Sequence, residues 1–401
     1  MEIPQLMGQI LYLSCAVILG LIIHRIPRVD ITLASLAAGV IAGLGVSWLE
    51  IDTGIRASNV QHLVFYVILP VLIFEAAWHI QPAALKRWLS PIMLLSTVGM
   101  VISTLVVAVI IFYAIGSPTG FPWIAALLAG AILAATDPIA VVSSLKRLKA
   151  PQDLTTLVEG ESLFNDASAL VLFGAILTFA LNSDTRFSFG YLSEFAITFF
   201  GGIALGAIIG LLAAILTLLL ANSAASKIVL LFTAFSGFYL AEHLFHLSGI
   251  MTLVAAAIVT RSLLKEQEQL FLGGLADTWE WMGMLFNGLV FVLMGLVITF
   301  DMFHEQWLAI AIAVPAALIG RTLAVLSCGA MTQGLARPIP MGWQTILIWG
   351  GLRGAIAIAL VLSLPVELDY WWTVQSMVFG VVLFTLLVQG PTTGYLIKRY
   401  S

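Results

Sequence analysis

The chain has 401 residues, of which 61% are hydrophobic and only 9% are charged, with a formal net charge of −4. Soluble domains carry roughly a quarter charged residues, so this composition excludes an ordinary soluble protein and favours a polytopic membrane protein in a lipid bilayer. The net charge excludes nothing further, because in membrane proteins the placement of charges in loops matters and their sum does not. No nucleic-acid partner is expected.

Thirteen apolar segments of about 20 residues, the length that a helix needs to cross a membrane, follow one another along the chain. Their predicted limits are 6–23, 31–49, 60–80, 91–115, 123–145, 154–181, 191–220, 226–246, 249–264, 281–300, 307–332, 343–364 and 372–396. The first has no basic leader and no small-residue cleavage site, so it is interpreted as a span and not as a signal peptide. The expected fold class is an all-α polytopic membrane protein with about 13 transmembrane helices.

Lysine and arginine predict the orientation of these spans. With the N-terminus outside, thirteen of the 17 basic residues lie in inside loops, and only Arg56 and Arg186 lie in outside loops. Basic residues accumulate on the cytoplasmic side, so we expect a cell (inner) membrane protein with its N-terminus outside and its C-terminus cytoplasmic. Residues 263–281 mix charge with Leu, Phe and Trp and are predicted to lie along the cytoplasmic interface. The last span ends near residue 401, so a cytoplasmic regulatory tail is not expected.

Two of the spans are predicted to be interrupted. Pro138 breaks the fifth span, because proline removes a backbone donor and disfavours helix at the residue before it. The glycine-rich sequence at 349–354 loosens the twelfth span. Spans five and twelve differ by an odd number and therefore cross the membrane in opposite directions. We expect a single transmembrane domain, residues 1–401, made of two inverted-topology repeats with crossed discontinuous helices: 1–181 and 226–401, joined by a linker helix at 191–220.

Carboxylates inside the spans point to a functional site, because each costs roughly 2.5–3.5 kcal/mol to insert. Asp137 lies at the first break, where its carboxylate, the Thr136 hydroxyl and nearby carbonyls offer oxygens to a hard cation. Asp137 also suits a helix N-cap, and the two roles are compatible. Asp166 lies four residues after Ser162, so the two share one face of a helix. Glu75 is expected either to line the approach to the site or to pair with an arginine.

Two arginines also lie within spans. Arg321 stays charged and needs a buried anion, for which Glu161, on the face of the sixth span that also carries Asn165, is the predicted partner in a structural ion pair. Arg353, in the second break, is expected to balance the negative end of a half-helix or another carboxylate. Glu159, near the end of its span, is expected to be solvated.

These motifs resemble those of sodium/proton antiporters of the NhaP/NHE branch. The resemblance rests on Leu69-Pro70, Phe74-Glu75-Ala76, Thr136-Asp137-Pro138, Glu161-Ser162-Leu163-Phe164-Asn165-Asp166, Gly320-Arg321 and Gly350-Gly351-Leu352-Arg353-Gly354-Ala355. The motifs run in order from span three to span twelve. The resemblance implies a homodimer whose subunit has a six-helix ion-translocation core, here about 91–181 and 307–396, and a dimerisation part formed by the remaining spans.

The same resemblance implies where the transported ion binds. Na⁺ would bind at Asp137, Asp166, Ser162 and the main chain of Thr136, with Glu75 nearby. Asn165 precedes Asp166 where the related electrogenic branch has a second aspartate, which implies electroneutral one-for-one exchange. No cofactor is implied beyond the transported Na⁺ and H⁺.

The residues favour cation/proton antiport by alternating access, because one carboxylate holds either a cation or a proton. Three alternatives remain at this point. K⁺/H⁺ exchange would use the same fold. A proton-coupled symporter of an organic solute would need a larger polar lining. An intramembrane aspartyl protease also uses two membrane carboxylates, but its Tyr-Asp and Gly-x-Gly-Asp pairing is missing from the sequence and it leaves Glu161, Arg321 and the broken helices unexplained.

Overall fold

A computed structural model describes residues 3–26, 30–49, 63–80, 82–115, 120–181, 190–264, 275–335 and 337–400. Within the described residues, each of the thirteen predicted spans corresponds to a helix or to a pair of half-helices, and we number them α1 to α13 accordingly. Their bounds are Ile3–His24 (α1), Ile31–Leu49 (α2), Val64–Ile68 with Leu69–His79 (α3), Pro82–Leu94, Leu95–Gly99 and Met100–Ile115 (α4), Trp123–Ala134 (α5a), Ile139–Arg147 (α5b), Gln152–Leu181 (α6), Gly190–Leu220 (α7), Ser223–Tyr239 with Leu240–Phe245 (α8), Gly249–Leu264 (α9), Leu275–Val297 (α10), Trp307–Thr332 (α11), Met341–Trp349 (α12a), Ala355–Leu362 (α12b), and Trp371–Phe384, Thr385–Gln389 and Gly390–Tyr400 (α13). A short helix, Phe300–Glu305, precedes α11. Most of the predicted interfacial segment at 263–281 lies outside the described residues.

The helices have the length and the surface of membrane spans. Among the described residues, eight helices are long and apolar enough to cross a membrane, and four shorter apolar helices accompany them. Large apolar side chains are exposed along the outer helices, for example Leu219 at 75% and Phe232 at 70%. In hydrocarbon every backbone polar group must be bonded internally, which helices achieve. The protein is therefore a multi-pass, all-α membrane protein, as the sequence predicts.

Packing sorts the helices into two groups. In the first group α1, α2, α3 and α7 to α10 pack mainly against one another, and in the second group α4, α5, α6, α11, α12 and α13 do the same. Contacts between the groups are fewer and involve chiefly α6 with α3, α7 and α9, and α12b with α10. Each group thus has its own closely packed interior, with a thinner seam between them.

Small residues bring α7 and α9 into backbone contact. A Cβ atom added at Gly206 would overlap the carbonyl oxygen of Thr252. The Thr252 hydroxyl donates to the carbonyl of Gly202 at 3.1 Å, and the Thr260 hydroxyl donates to the carbonyl of Gly210 at 3.0 Å. Such close approach maximises dispersion and polar contact where lipid supplies no hydrophobic driving force. This seam helps to hold the first group together.

Helices α5 and α12 are both broken, and their extended breaks cross. The Asp137 N–H donates to the carbonyl of Leu352 at 2.8 Å, which forms an isolated antiparallel bridge between the two breaks. The breaks therefore run in opposite directions, as the odd separation of the two spans predicts. The crossing lies inside the second group, where protein atoms can satisfy the backbone groups that an open helix leaves unpaired.

We expect Gly206→Ala to destabilise the protein by about 1–3 kcal/mol, because the added methyl group forces α7 away from the backbone of α9. The check is the midpoint of thermal unfolding in detergent, followed by tryptophan fluorescence. Gly174→Ala is the matched control, since an added Cβ there meets nothing within 4 Å. Equal midpoints for the two variants would contradict the packing role of Gly206.

Candidate ion-binding site

Asp137 lies in the break of α5, and its carboxylate lies against the N-terminal ends of two half-helices. The Ile139 N–H at the start of α5b donates to Oδ1 at 2.9 Å, and Gly354, just before α12b, lies against the same carboxylate. The approach requires glycine at 354, because a Cβ atom there would overlap Oδ2 of Asp137. Helix N-termini carry partial positive charge, so one carboxylate balances two of them. The predicted contact of Asp137 with the start of α5b is present, although α5b begins at Ile139 with Pro138 at its N-cap, and the proximity to α12b was not predicted.

Asp166 of α6 faces the same cavity as Asp137. The cavity has a volume of about 550 Å³ including its mouth, and Glu75, Thr136, Asp137 and Asp166 are among its lining residues. Both aspartates are half-buried. Oδ1 of Asp166 has no hydrogen-bond partner among the described residues. The site therefore has one carboxylate that is hydrogen-bonded to the backbone and one with an oxygen that bonds to no described protein group.

The two half-helices that line the cavity differ in exposure. Ile139, the first residue of α5b, is 42% exposed at the mouth, whereas every residue of α12b is buried. The exposed part of the lining thus lies on α5b, whose last turn carries the basic residues Lys146 and Arg147.

Ser162 and Thr136 are in direct contact. The Ser162 hydroxyl donates to the carbonyl of Thr136, and both residues are almost fully buried. Ser162 lines a smaller adjoining cavity together with Glu161 and Arg321 and does not line the cavity that holds Asp166. The structure therefore brings Thr136, Asp137 and Asp166 to one cavity and places Ser162 directly behind it.

Asn165 joins α6 to the end of α5a. Its amide nitrogen lies 2.9 Å from the carbonyl of Ala134, 3.2 Å from the Thr136 hydroxyl and 3.4 Å from Glu161 Oε1. Two of these three partners only accept hydrogen bonds, so a carboxylate at this position would face oxygens with few donors. The need for a hydrogen-bond donor is thus a structural reason for asparagine at position 165. It is separate from the electroneutral exchange that the family resemblance implies for this position.

Glu161 and Arg321 form the contact that the sequence predicts. Arg321 donates to both carboxylate oxygens, at 2.8 and 2.9 Å, and its Nε donates to the carbonyl of Leu347 at 3.1 Å. The exposed fractions are 2% for Glu161 and 6% for Arg321. Bidentate, fully hydrogen-bonded geometry is what a buried ion pair needs to offset desolvation. The pair ties α6, α11 and α12a together beside the crossing.

The sequence leaves two partners open for Arg353, the negative end of a half-helix or a carboxylate. In the structure Arg353 contacts the end of a half-helix. Its guanidinium donates to the carbonyls of Ala134 and Ala135 at 3.1 and 2.8 Å, where the C-terminal end of α5a carries partial negative charge. Its backbone N–H donates to the Thr385 hydroxyl at 3.3 Å. Arg353 thus joins the two breaks a second time, next to the bridge between Asp137 and Leu352.

Glu75 lines the cavity, and its observed partner is a histidine instead of an arginine. Oε1 of Glu75 lies 3.3 Å from Nδ1 of His79, one turn later on α3. The prediction for Glu159 is wrong: its side chain is only 17% exposed and lies 3.5 Å from Lys146 Nζ. Ordinary helix-end residues such as His79 belong to no motif, so sequence reasoning passes over them.

Two polar residues of α13 that sequence reasoning missed also support the break of α12. Thr385 accepts the bond from Arg353, and Gln389 donates to the carbonyl of Trp349 at 3.0 Å. They bound the π-helical turn Thr385–Gln389, a wide turn that is frequent at functional sites. Their spacing of four within an apolar helix is the signal that could have found them.

Two crossed half-helix pairs, with acids at the crossing and a cavity beside them, define a secondary transporter of the inverted-repeat type. The family model for the transmembrane region of sodium/hydrogen exchangers matches residues 12–399, and the chain belongs to this family. The family consists of ion exchangers, which transport their ions without a cofactor. The chain is therefore a transporter and not an enzyme, and the aspartyl protease alternative is excluded.

The comparisons with individual proteins agree. Over 368 residues the chain is 34% identical to the Na⁺/H⁺ antiporter ApNhaP of Aphanothece halophytica, covering 90% of this chain and 68% of that protein. It is 29% identical to the Na⁺/H⁺ antiporter NhaP of Pseudomonas aeruginosa over 413 residues, 97% of this chain and 95% of that one. The fold resembles the sodium proton antiporter MjNhaP1 of Methanocaldococcus jannaschii with a TM-score of 0.80 at 20% identity over 99% of both chains. The predicted fold class and family resemblance are confirmed.

We expect Glu161→Leu or Arg321→Leu alone to cost about 3–5 kcal/mol of stability, because each leaves a buried charge without its partner. The double variant should be more stable than either single variant, since it buries no charge. Thermal unfolding midpoints of the three purified proteins provide the measurement. If the two single losses simply added in the double variant, the side chains would not be coupled as the bidentate geometry indicates.

Proposed function

We propose that this chain exchanges Na⁺ or Li⁺ for H⁺ across the cell membrane by alternating access. The observation that carries the proposal is that Asp137 and Asp166, both half-buried, line one cavity at the crossing of two broken helices. The oxygens of these carboxylates and of Thr136 suit a hard monovalent cation. Similar proteins are named Na⁺/H⁺ antiporters, which supports Na⁺ as the cation.

The two aspartates have different parts in this proposal. Asp137 accepts a hydrogen bond from the Ile139 N–H and packs against Gly354 at the start of α12b, so it supplies a fixed oxygen to the cation. Asp166 has an uncommitted oxygen and is the carboxylate for which the cation and the proton compete. Either occupant reduces the negative charge of the site, and competition for it couples the two fluxes. Ser162 supports the site through the Thr136 carbonyl.

The two packing groups support the assignment of ion translocation and dimerisation to different sets of helices. In this proposal the ion-translocation core comprises about 91–181 and 307–396, and the remaining spans form the part through which two subunits associate as a homodimer. The repeats are 1–181 and 226–401, with 191–220 as the linker. The thinner seam between the groups is where one part would move against the other.

Orientation follows from the basic residues. The cavity opens on the side of Lys146 and Arg147 at the end of α5b, which the excess of lysine and arginine assigns to the cytoplasm. The N-terminus is then outside, the C-terminus is cytoplasmic, and the conformation described is open to the cytoplasm.

Asp166→Asn should abolish the exchange, because an amide neither exchanges a proton near neutral pH nor offers a charge to the cation. Proteoliposomes with an internal pH dye report the exchange when Na⁺ is added outside. Asp301→Asn, an acid-to-amide change at an exposed position away from the cavity, should retain it. Undiminished exchange by the Asp166 variant would refute the proposed coupling.

Electroneutral one-for-one exchange predicts a rate that does not respond to membrane potential. In the same proteoliposomes, a K⁺ gradient with valinomycin sets the potential while Na⁺ or Li⁺ drives the pH change, and the rate should stay within experimental error of the unclamped value. A rate that rises or falls steadily with potential would show net charge movement. K⁺ is tested separately without valinomycin, and exchange as fast as with Na⁺ would favour the K⁺/H⁺ alternative.

A further inference from the structure

Glu75 is held on the wall of the cavity by two neighbours that no motif identifies. His79 Nδ1 lies 2.9 Å from the main-chain oxygen of Glu75 and 3.3 Å from its Oε1. On its other side the carboxylate packs on bare backbone at Gly283 of α10: a Cβ atom there would lie 3.0 Å from Cδ and 3.1 Å from Oε2. The acid thus occupies a slot between α3 and α10 whose width depends on the missing side chain at 283.

The slot belongs to a different packing group from the aspartates. Helices α3 and α10 pack against each other and against α1, α2 and α9, whereas Asp137 and Asp166 lie on α5 and α6 of the second group. Glu75 therefore faces the aspartates across the cavity from the opposite side of the seam. A movement of one group against the other changes the distance between Glu75 and Asp166, while Glu75 keeps its place relative to Gly283.

Three charged side chains of α5b, α6 and α9 are engaged with partners. Glu159 lies 3.5 Å from Lys146, and the Arg261 guanidinium donates to the carbonyls of Trp78 and Ile80 at the end of α3. Glu75 is the carboxylate that lines the cavity from the first group. A cation entering from the open side thus meets Glu75 on one wall and the aspartates on the other.

We infer that Glu75, positioned by Gly283 and His79, raises the affinity for the transported cation from the open side of the protein only. The inference rests on the proposed function. When the second group has moved and the site faces the other side of the membrane, Glu75 stays behind with the first group and no longer contributes. Gly283 and His79 are positioning residues, because they act on the cation through Glu75.

The test is Gly283→Ala, with the apparent KM for Na⁺ measured from each side in everted and in right-side-out membrane vesicles. The carboxylate is the flexible end of a side chain and yields to the methyl group, so folding and the maximal rate should change little. We expect the KM to rise roughly tenfold, the equivalent of about 1.4 kcal/mol, in one preparation only. The proposed orientation assigns that preparation to the everted vesicles.

Gly288→Ala on the same helix is the matched control, since a Cβ there meets only the Ser35 hydroxyl, at 3.2 Å, and both KM values should stay unchanged. Glu75→Asp shortens the acid, so Gly283→Ala added to it should raise the KM no further. If Gly283→Ala raises the KM for Na⁺ equally on both sides, or on neither side, the inference is overturned. The proposed function still stands in that case as long as the wild-type protein exchanges Na⁺ for H⁺. Wild-type vesicles without Na⁺-driven exchange would instead refute the proposed function itself.

Discussion

The breaks of α5 and α12 leave backbone groups that a continuous helix would satisfy, and the way these groups are paired determines most of the structure around them. In a membrane each such group must find a protein partner. Asp137 bonds to the N-terminal end of α5b and lies against that of α12b, and Arg353 bonds to the C-terminal end of α5a. The crossing is therefore balanced by one acid and one base, each placed at the helix ends of opposite partial charge.

The neighbouring residues follow from the same requirement. Asn165 donates to the carbonyl of Ala134 and Ser162 donates to that of Thr136, so α6 is fixed against the break of α5. Glu161 then meets Arg321, and the pair connects α6 with α11. With the backbone satisfied in this way, Asp166 retains a buried oxygen without a protein partner among the described residues, which is why the proposed function gives the exchange of ion and proton to this carboxylate.

The fold could be predicted almost entirely. The length and hydropathy of each apolar segment indicate a span, and proline or clustered glycine indicates each break. The acids of the site were found for a related reason: a charge inside hydrocarbon is too costly to occur without a role. The pairing of Glu161 with Arg321 followed from counting buried charges of opposite sign.

What could not be predicted depends on atomic distances between segments far apart in the chain. The bridge between Asp137 and Leu352 uses backbone atoms only, so no residue type signals it. The contact of Gly283 with Glu75 depends on an absent side chain. The solvation of Glu159 was predicted wrongly because Lys146, on the other side of a loop, lies close to its carboxylate. Thr385 and Gln389 were missed because polar residues that serve a neighbouring helix resemble those that bond within their own.

The antiparallel bridge and the bonds from Arg353 have a mechanical consequence. They span the crossing at several points and remove the relative degrees of freedom between α5 and α12, so the two broken helices cannot slide past one another without losing buried hydrogen bonds. In the proposed alternating access, the crossing would travel as a rigid body and carry its coordination geometry unchanged from one surface of the membrane to the other. Selectivity set by the crossing would then be a property of the moving part itself, identical at both ends of its path.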